Sequence, residues 1–464
     1  MIKRRSSASV DWVLLSIYFS IVIIGWLVLF SSSIEGDSLS FSFSSTVGRQ
    51  TIWIGISFLF FIALMNVDWR IWNNLSYLLY VLGIVSLLAV LFLGREVKGA
   101  TSWFSVFGFS LQPSEFVKIP TALAVASFIS KPGMKLRHPK NAFSAILIFL
   151  IPSLLILLQP DAGTSLIFAS FFVPLYRAGM DSTIYLLGGT LAFLLIGSLL
   201  WTPYIMLLIV LLGSYAFIAF SFPKRILSYS ILSLLALFAV STYNYLSYST
   251  ILIVVLIVGV YYFFIAFRKA MFREIIIGLT AIIFSRVVSF TTEWAFNNLL
   301  KPHQQSRVNV WLKPSLSDPK GELYNIIQSK TAIGSGGFWG KGFTEGMMTR
   351  LNYVPEQNTD FVFSILGEEQ GFIGTFSLVA LFIAMLVRIT IIAERAAFPF
   401  IRNYAYGIAG IIFLHFFINV GMTMGLMPVI GIPLPFISKG GSSMLAFTIM
   451  IAILLKMDLA RMRS

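Results

Sequence analysis

The residues best suited to chemistry lie between Arg307 and Gly374, where carboxylates, cations, amides and glycines interrupt a run of apolar segments. Such a stretch cannot lie wholly within hydrocarbon, because unpaired polar groups are costly there. Asp318 lies in the sequence SDPKG, where Pro319 fixes the backbone and Gly321 permits a turn. A carboxylate on such a corner can act as a general base. The alternative is an ordinary turn aspartate that accepts backbone N–H bonds.

A glycine-rich stretch with a lysine follows this corner. The sequence YNIIQSKTAIGSGGFWGKGF places Gln328, Ser329 and Lys330 on a predicted helix. That helix ends at Gly334, and the glycines after it lead to Lys341. Backbone N–H groups beside a lysine suit a pyrophosphate or carboxylate ligand, but such glycines also let helices approach closely. The stretch is not a P-loop, since GxxxxGK[ST] after a strand is missing.

Four carboxylates line the entry to the next apolar segment: Glu356, Asp360, Glu368 and Glu369. A carboxylate at membrane depth needs a partner or a wet cavity. We therefore expect at least Glu368 or Glu369 to pair with a cation. The sequence leaves open whether that pairing is structural or catalytic.

Two earlier motifs carry charge near the same membrane surface. Glu115 and Lys118 in QPSEFVK are three residues apart on one helix face, with Arg95 and Lys98 above them. Either this pair neutralises itself, or Lys118 presents its charge to an anionic lipid head group. Asp161 lies in QPDAGT, which breaks an apolar segment and frees backbone groups that need a polar cavity. A simple helix kink is the alternative for that motif.

Near the C-terminus, His415, Asn419 and Met422 share one face of a predicted helix. A histidine in such a position is usually a buried hydrogen-bonding residue. The following stretch, GLMPVIGIPLPFISKGGSS, predicts a re-entrant loop beside a cavity, with Lys439 at its mouth. No His or carboxylate cluster has metal-ligand spacing, so no metal ligands are assigned.

The elements that position these residues are predicted to be membrane-spanning helices. The chain has 464 residues, of which 58% are hydrophobic and 11% charged, and it has no cysteine. Apolar stretches of about 20 residues recur throughout, which indicates an all-α polytopic membrane protein. The net charge of +14 does not indicate nucleic-acid binding, because most cations lie in short loops between apolar segments.

Fourteen segments are long enough to cross a membrane: 11–31, 49–67, 72–94, 113–130, 141–158, 162–178, 183–201, 204–222, 226–244, 249–267, 273–294, 361–390, 403–427 and 441–456. With the N-terminus in the cytoplasm, most of the 33 Lys and Arg lie on the cytoplasmic side. This topology makes the chain a single integral membrane domain with both termini cytoplasmic. Residues 295–360 then form a large extracytoplasmic loop, and 183–270 supply additional helices.

Five ordered motifs carry a resemblance to a known family: QPSEFVK, QPDAGT, SDPKG with YNIIQSKTAIGSGGFWGKGF, YVPEQNTDFVFSILGEEQGFIG and NVGMTMGLMPVIGIPLPFISKGGSS. The chain resembles SEDS proteins, which act in shape, elongation, division and sporulation, and within them the RodA branch. The division branch usually has arginine in place of Lys439. The resemblance covers nearly all of the chain except about 183–290.

The resemblance implies a peptidoglycan glycosyltransferase of the bacterial cytoplasmic (inner) membrane. Such an enzyme polymerises lipid II into glycan strands during cell elongation, with undecaprenyl pyrophosphate as the leaving group. The family core has ten spans, so this chain has about four extra. Implied partners are a class B penicillin-binding protein, which is a transpeptidase, and scaffold proteins of the elongation machinery. No cofactor is certain, and a divalent cation, Mg²⁺ or Mn²⁺, stays open.

The family's essential aspartate falls on Asp318, which the resemblance makes the general base. The QPSExxK motif falls on Glu115 and Lys118, and the aspartate of QPDxGT falls on Asp161. Cations must stabilise the departing pyrophosphate, and Lys118 is the first choice because its depth matches a head group. The other candidate substrate-binding residues are Arg95, Lys98, Gln328, Ser329, Lys330, Lys341 and Lys439. The residues assigned to structure or intramembrane charge are Asp360, Glu368, Glu369, His415 and Asn419.

Two other functions remain open on the sequence alone. Broken helices and intramembrane charges also mark transport paths, so a lipid II flippase is the main alternative. The crowding of polar positions in the outer half favours surface chemistry over transport. A non-enzymatic scaffold for wall assembly is the third hypothesis.

Overall fold

The computed structural model describes residues 10–33, 45–97, 100–106, 109–201, 203–220, 257, 259–260, 264, 267–268, 272–318 and 321–462. Within them almost all of the regular secondary structure is helical. The helices are α1 (Trp12–Ser31), α2 (Thr46–Met65), α3 (Trp69–Asn74), α4 (Ser76–Leu93), α5 (Pro113–Ile129), α6 (Pro139–Leu158), α7 (Ala162–Ile167), α8 (Phe172–Arg177), α9 (Ser182–Leu200), α10 (Pro203–Phe220), α11 (Phe272–Asn298), α12 (Pro302–Leu312), α13 (Glu322–Ser335), α14 (Met347–Arg350), α15 (Val362–Arg395), α16 (Pro399–Thr423) and α17 (Gly441–Asp458). Nine helices of the described residues are long and apolar enough to cross a membrane.

The helix ends follow local capping chemistry. The Asp11 carboxylate accepts a hydrogen bond from the Leu14 N–H at 2.9 Å, and the Ser45 hydroxyl accepts one from the Gly48 N–H at 3.1 Å. Proline lies in the first turn of α5, α6, α12 and α16, where a missing N–H costs no intrahelical bond. These signals explain why most predicted span ends lie within about one turn, or 3.6 residues, of the observed ends.

Two predicted spans differ in form from a simple helix. The span predicted at 162–178 consists of α7, a 3₁₀ turn at Phe168–Phe171, and α8. The helix α15 is interrupted at Gly371, whose φ of 60° and ψ of −153° are not helical. Predicted spans 226–244 and, for most of its length, 249–267 lie outside the described residues, so the total of fourteen stays a prediction.

A small antiparallel sheet connects α4 to α5, although the sequence predicted an all-α chain. Its strands are β1 (Arg95–Val97), β2 (Ala100–Val106) and β3 (Phe109–Leu111), in the order β1-β2-β3. β1 and β3 have three residues each, and the seven residues of β2, ATSWFSV, do not alternate cleanly between apolar and polar, so the sequence carries no strand signal.

The chain divides into two compact units. The first contains Met1–Asp181 and Ser317–Ser464, and the second contains Ser182–Leu316. In the second unit, Leu194, Met206 and Val288 form a small core. All of the predicted site residues belong to the first unit.

The first unit has two polar ends, which we name by their residues. The terminal face carries Asp11 and Asp458, and Arg395 contacts both carboxylates at 2.6 and 2.5 Å. Arg388 also contacts Asp11, at 2.8 Å. Burial raises the pKa of Asp11, but hydrogen bonds from Arg388, the Leu14 N–H and Arg395 outweigh it and hold this pKa at about 2. The cluster therefore ties the start of α1 to the ends of α15 and α17.

The opposite end, the loop face, carries the small sheet, α13 and the segment 424–440. The Ser442 hydroxyl accepts a hydrogen bond from the Gln112 N–H at 3.1 Å, and the Lys439 ammonium donates to the Thr46 hydroxyl at 3.2 Å. These contacts join the starts of α2, α5 and α17. The loop face therefore gathers residues from distant parts of the sequence.

Candidate active site on the loop face

A buried ion pair joins α5 to α16 below the loop face. Lys118 Nζ lies 2.8 Å from Glu115 Oε1 and 2.9 Å from His415 Nε2. An ammonium group can only donate, so His415 accepts at Nε2 and carries its proton on Nδ1. That Nδ1–H donates to the carbonyl oxygen of Pro433 at 3.2 Å. The imidazole is therefore neutral and connects Lys118 to the 424–440 segment.

This geometry decides between two interpretations of Lys118. The side chain has no exposed surface, and its ammonium lies 5.1 Å from the centroid of the Phe447 ring. Lys118 therefore neutralises Glu115 inside the protein. The sequence-based choice of Lys118 as the first cation for a lipid head group is corrected accordingly, because its three buried neighbours shield it.

Asp161 caps α7 after the break predicted at QPDAGT. Its Oδ1 accepts from the Thr164 N–H at 3.0 Å, and its Oδ2 accepts from the Thr164 hydroxyl at 2.8 Å and Gln112 Nε2 at 3.1 Å. A Cβ added at Gly163 would lie 2.4 Å from the carbonyl oxygen of Ile430, so the break lets α7 touch the 424–440 segment. Asp161 thus holds both α7 and the start of α5.

The segment 424–440 forms the re-entrant loop predicted between α16 and α17. Asn419 lies on the same helix face as His415, as their spacing predicts, and both are buried. Asn419 Nδ2 donates to the carbonyl oxygens of Ile432 at 2.7 Å and Asp360 at 2.9 Å. These bonds satisfy backbone groups that an irregular loop leaves unpaired at membrane depth.

The glycine-rich turn 336–342 inserts into the break in α15. Its N–H groups donate to the carbonyl oxygens of Glu368 and Glu369, both at 3.0 Å, and N–H groups beyond the break donate back to the turn. A Cβ added at Gly340 would lie 2.1 Å from the carbonyl oxygen of Glu369. These contacts favour the second of the two alternatives left open by the sequence, in which the glycines allow close approach of two backbones.

Glu368 pairs with a cation near the start of α15, as we expected for Glu368 or Glu369. Glu368 Oε1 lies 2.7 Å from Lys341 Nζ, and Glu368 Oε2 accepts from the N–H and hydroxyl of Thr349 at 2.9 and 2.8 Å. Glu369 accepts a short hydrogen bond from the Ser31 hydroxyl. Lys341 is therefore a partner of Glu368 rather than a free cation.

Asp318 lies in the turn before α13, as SDPKG predicts. Its side chain is exposed, and its carbonyl oxygen accepts from the Gly321 N–H at 3.3 Å. The buried Ser329 anchors α13 to the loop face by donating from its hydroxyl to the carbonyl oxygen of Thr423 at 3.0 Å. The other predicted residues of this helix are half-buried Gln328 and exposed Lys330.

Of the two cations predicted before α5, the structure describes only Arg95. Arg95 is exposed at the start of β1, and Lys98 lies outside the described residues. Arg95 is therefore available at the surface of the loop face.

Lys439 is half-buried at the end of the re-entrant loop, as predicted. Burial lowers the pKa of Lys439, the charge of Arg49 lowers it further, and Glu356 raises it. Arg49 was not singled out from the sequence. The opposing effects of Arg49 and Glu356 place one further cation and one carboxylate within electrostatic range of Lys439.

The sequence missed contacts that join residues far apart in the chain. Lys118 and His415 come from different helices, and so do Gln112 and Asp161. No local pattern in the sequence identified His415 as a partner of Lys118. Among the described residues, no group of three His, Asp or Glu side chains is arranged to hold a metal ion.

Nine candidate spans among the described residues define a polytopic helical membrane protein, and its first unit carries the re-entrant loop and the exposed aspartate on the loop face. A family model described as the FtsW, RodA and SpoVE cell cycle protein matches residues 11–222 and 206–462. The chain belongs to this family, and its RodA branch is supported by the relatives it matches.

Similar proteins cover the chain almost completely. The peptidoglycan glycosyltransferase RodA of Treponema pallidum (strain Nichols) is 31% identical over 464 residues, with 97% of each chain covered. The peptidoglycan glycosyltransferase MrdB of Escherichia coli (strain K12) is 28% identical over 440 residues, with 94% of this chain and 90% of that protein covered. A chain solved in a study of polymerization and crosslinking by a peptidoglycan synthase complex has the same fold, with a TM-score of 0.62, 23% identity and 98% of both chains covered.

Proposed function

We propose that this chain is a peptidoglycan glycosyltransferase whose loop face joins lipid II units into glycan strands, with Asp318 as the general base. The observation that carries the proposal is an exposed aspartate on a turn that α13 anchors to the loop face. Curated relatives that match nearly the whole chain are named peptidoglycan glycosyltransferases.

The chemistry requires a base because a sugar hydroxyl is a weak nucleophile. Asp318 takes the proton of the acceptor hydroxyl while its oxygen attacks the anomeric carbon of the donor. The new bond is the glycosidic C–O bond, and the bond that breaks joins the anomeric carbon to undecaprenyl pyrophosphate. The leaving group departs with the electron pair and stays attached to its lipid in the bilayer.

Cations at the loop face are suited to receive the negative charge of the leaving group. Lys439 lies within electrostatic range of Arg49 and of the Glu356 carboxylate, and Arg95 is a further, exposed cation on β1. Such groups stabilise charge that develops in the transition state. We assign Glu115, Lys118 and His415 a supporting role, in which they hold the re-entrant loop that presents Lys439.

The loop face is the extracytoplasmic face in this proposal, and the terminal face lies in the cytoplasm of a bacterial inner membrane. A similarly folded chain was solved in a study of polymerization and crosslinking by a peptidoglycan synthase complex. We therefore propose a class B penicillin-binding protein as the partner of this chain, together with scaffold proteins of the elongation machinery.

The test is polymerisation of purified lipid II by the chain with its transpeptidase partner in detergent. Replacing Asp318 by asparagine keeps the shape of the side chain but removes the proton acceptor. We expect the rate to fall roughly 10²- to 10⁴-fold, the usual contribution of a general base. The matched control is Glu345→Gln, which removes another exposed carboxylate of the loop face.

Normal glycan strands from Asp318→Asn would refute the assignment of the base. If lipid II moved across vesicles in an Asp318-dependent manner while the detergent-solubilised chain made no polymer, a flippase would replace the enzyme.

A further inference from the structure

The second unit carries an arginine inside a membrane-spanning helix. Arg286 lies in α11, and it is the only charged residue in the stretch 275–292 between Glu274 and Glu293. At 1.5 Å per residue that stretch is about 27 Å long, which is close to the roughly 30 Å of hydrocarbon in a bilayer. Arg286 precedes Glu293 by seven residues, so its backbone lies about 10 Å inside the nearer edge of the hydrocarbon.

The Arg286 side chain is exposed on one face of α11. This helix packs against α9 and α10 through a different face, which includes the buried Val288. Arg286 and Glu293 are both exposed, and a separation of seven residues, or about two turns, places them on the same face. Phe290, which is 73% exposed, lies between them. We call the surface formed by Arg286, Phe290 and Glu293 the arginine face.

The second unit holds no carboxylate that neutralises Arg286. No ion pair found among the described residues involves Arg286 or Glu293. Glu274 and Glu293 are the only carboxylates in the sequence 182–316. Glu274 lies about 18 Å along the helix from Arg286 and contacts Arg273 at 3.9 Å. Side chains of an α-helix lean toward its N-terminus, which for Arg286 is away from both Glu293 and the nearer membrane edge.

The charge and depth of Arg286 define what can cover the arginine face. A charged side chain inside a membrane-spanning segment is costly, and it normally pairs with an opposite charge or borders a wet cavity. Lipid phosphates lie beyond the edge of the hydrocarbon, about 10 Å from the level of Arg286. Two copies of this chain share one orientation in the membrane, so facing arginine faces would bring two Arg286 charges to the same depth, where they repel. A different helix with a carboxylate at that depth avoids both problems.

We propose that the arginine face docks one membrane-spanning helix of a partner protein, and that a carboxylate of this helix pairs with Arg286. The depth of Arg286 sets the depth of that carboxylate. A cation or hydroxyl about 10 Å nearer the membrane edge on the same helix would meet Glu293. The proposal concerns the second unit and does not depend on the enzymatic activity of the loop face.

The test measures energy transfer between the purified full chain and a synthetic membrane-spanning peptide in phosphatidylcholine liposomes. The chain has no cysteine, so a single Asn298→Cys at the end of α11 takes the donor dye. The peptide is a leucine–alanine helix with glutamate at the depth of Arg286, and its matched control has glutamine there. We expect the glutamate peptide to bind about 5- to 30-fold more tightly, the effect of one polar contact between helices in model membrane peptides.

Three variants separate pairing with Arg286 from general effects of charge. Arg286→Gln should bind the two peptides equally. Arg286→Glu should instead prefer a peptide that carries arginine at the same depth. The matched control is Arg273→Gln, which removes an exposed cation from the end of the same helix and should keep the parent's preference for glutamate.

Equal binding of the glutamate and glutamine peptides by the parent chain would overturn the proposal. A preference for glutamate that survives in Arg286→Gln would overturn it as well. The same titration in phosphatidylglycerol liposomes tests a lipid as the occupant, and we expect the preference to persist there. A preference that disappears in phosphatidylglycerol would assign Arg286 to a lipid phosphate instead of a partner helix.

Discussion

At the scale of single residues, burial decides which charged side chains can meet a substrate. Asp318 is exposed on a turn, whereas Lys118 and Glu115 are buried. A general base must reach a substrate hydroxyl, so exposure suits Asp318. The buried pair instead neutralises its own charge and supports the loop above it.

Removal of one partner of the buried pair should therefore be more harmful than removal of both. Lys118→Met leaves Glu115 as an unpaired buried carboxylate, which we expect to cost about 3–5 kcal/mol of unfolding free energy. Adding Glu115→Leu should recover about 2 kcal/mol, with the rest reflecting the unpaired Nε2 of His415. Chemical or thermal unfolding in detergent measures both values. Additive losses in the double variant would contradict this account.

At the scale of elements, the glycine-rich turn and the broken helix α15 fit together as one structure. The turn 336–342 supplies hydrogen bonds that α15 loses at its break. A Cβ added at Gly336 would lie 2.0 Å from the carbonyl oxygen of Gly367, whereas one added at Gly334 would have no neighbour within 4 Å. Gly336 therefore has no room for a side chain, whereas Gly334, two residues earlier, has ample room.

The two substitutions Gly336→Ala and Gly334→Ala should separate these constraints. The first should destabilise the protein by about 1–3 kcal/mol, because the added methyl overpacks the contact with α15. The second should be neutral or stabilising by up to about 1 kcal/mol, since alanine favours helix α13. Comparison of thermal transitions in the same detergent gives the answer. Equal destabilisation by both would show that close approach is not the reason for Gly336.

The elements were largely predictable from the sequence, and the site only in part. Apolar periods and lengths identified the spans, and the spacing of Glu115 and Lys118 made their ion pair one of two alternatives. The contact of Lys118 with His415 was not predictable, because it depends on how α5 packs against α16. The small sheet was missed because its outer strands have three residues each and β2 lacks a clean alternation of apolar and polar residues.

At the scale of the whole molecule, the polar side chains on the two faces of the first unit have different roles. The terminal face carries an ion cluster around Asp11 that ties helices together. The loop face carries the re-entrant loop, the exposed aspartate and the cations assigned to the leaving group. If this chain polymerises lipid II outside the cell, as we propose, the loop face must be extracytoplasmic.

Single cysteines can test this orientation, since the chain has none of its own. Ser105 is exposed on β2 of the loop face, and Lys135 is exposed in the loop between α5 and α6. In spheroplasts, a membrane-impermeant maleimide should label Ser105→Cys at once and Lys135→Cys only after lysis. The reverse labelling pattern would place the proposed active site in the cytoplasm.

The most direct measurement separates substrate binding from chemistry in Asp318→Asn. If Asp318 only removes a proton, this variant should bind lipid II with the parent's Kd while its single-turnover rate of glycan formation falls roughly 10²- to 10⁴-fold. An unchanged single-turnover rate, or a loss explained entirely by weaker binding, would contradict the role of Asp318 as the base.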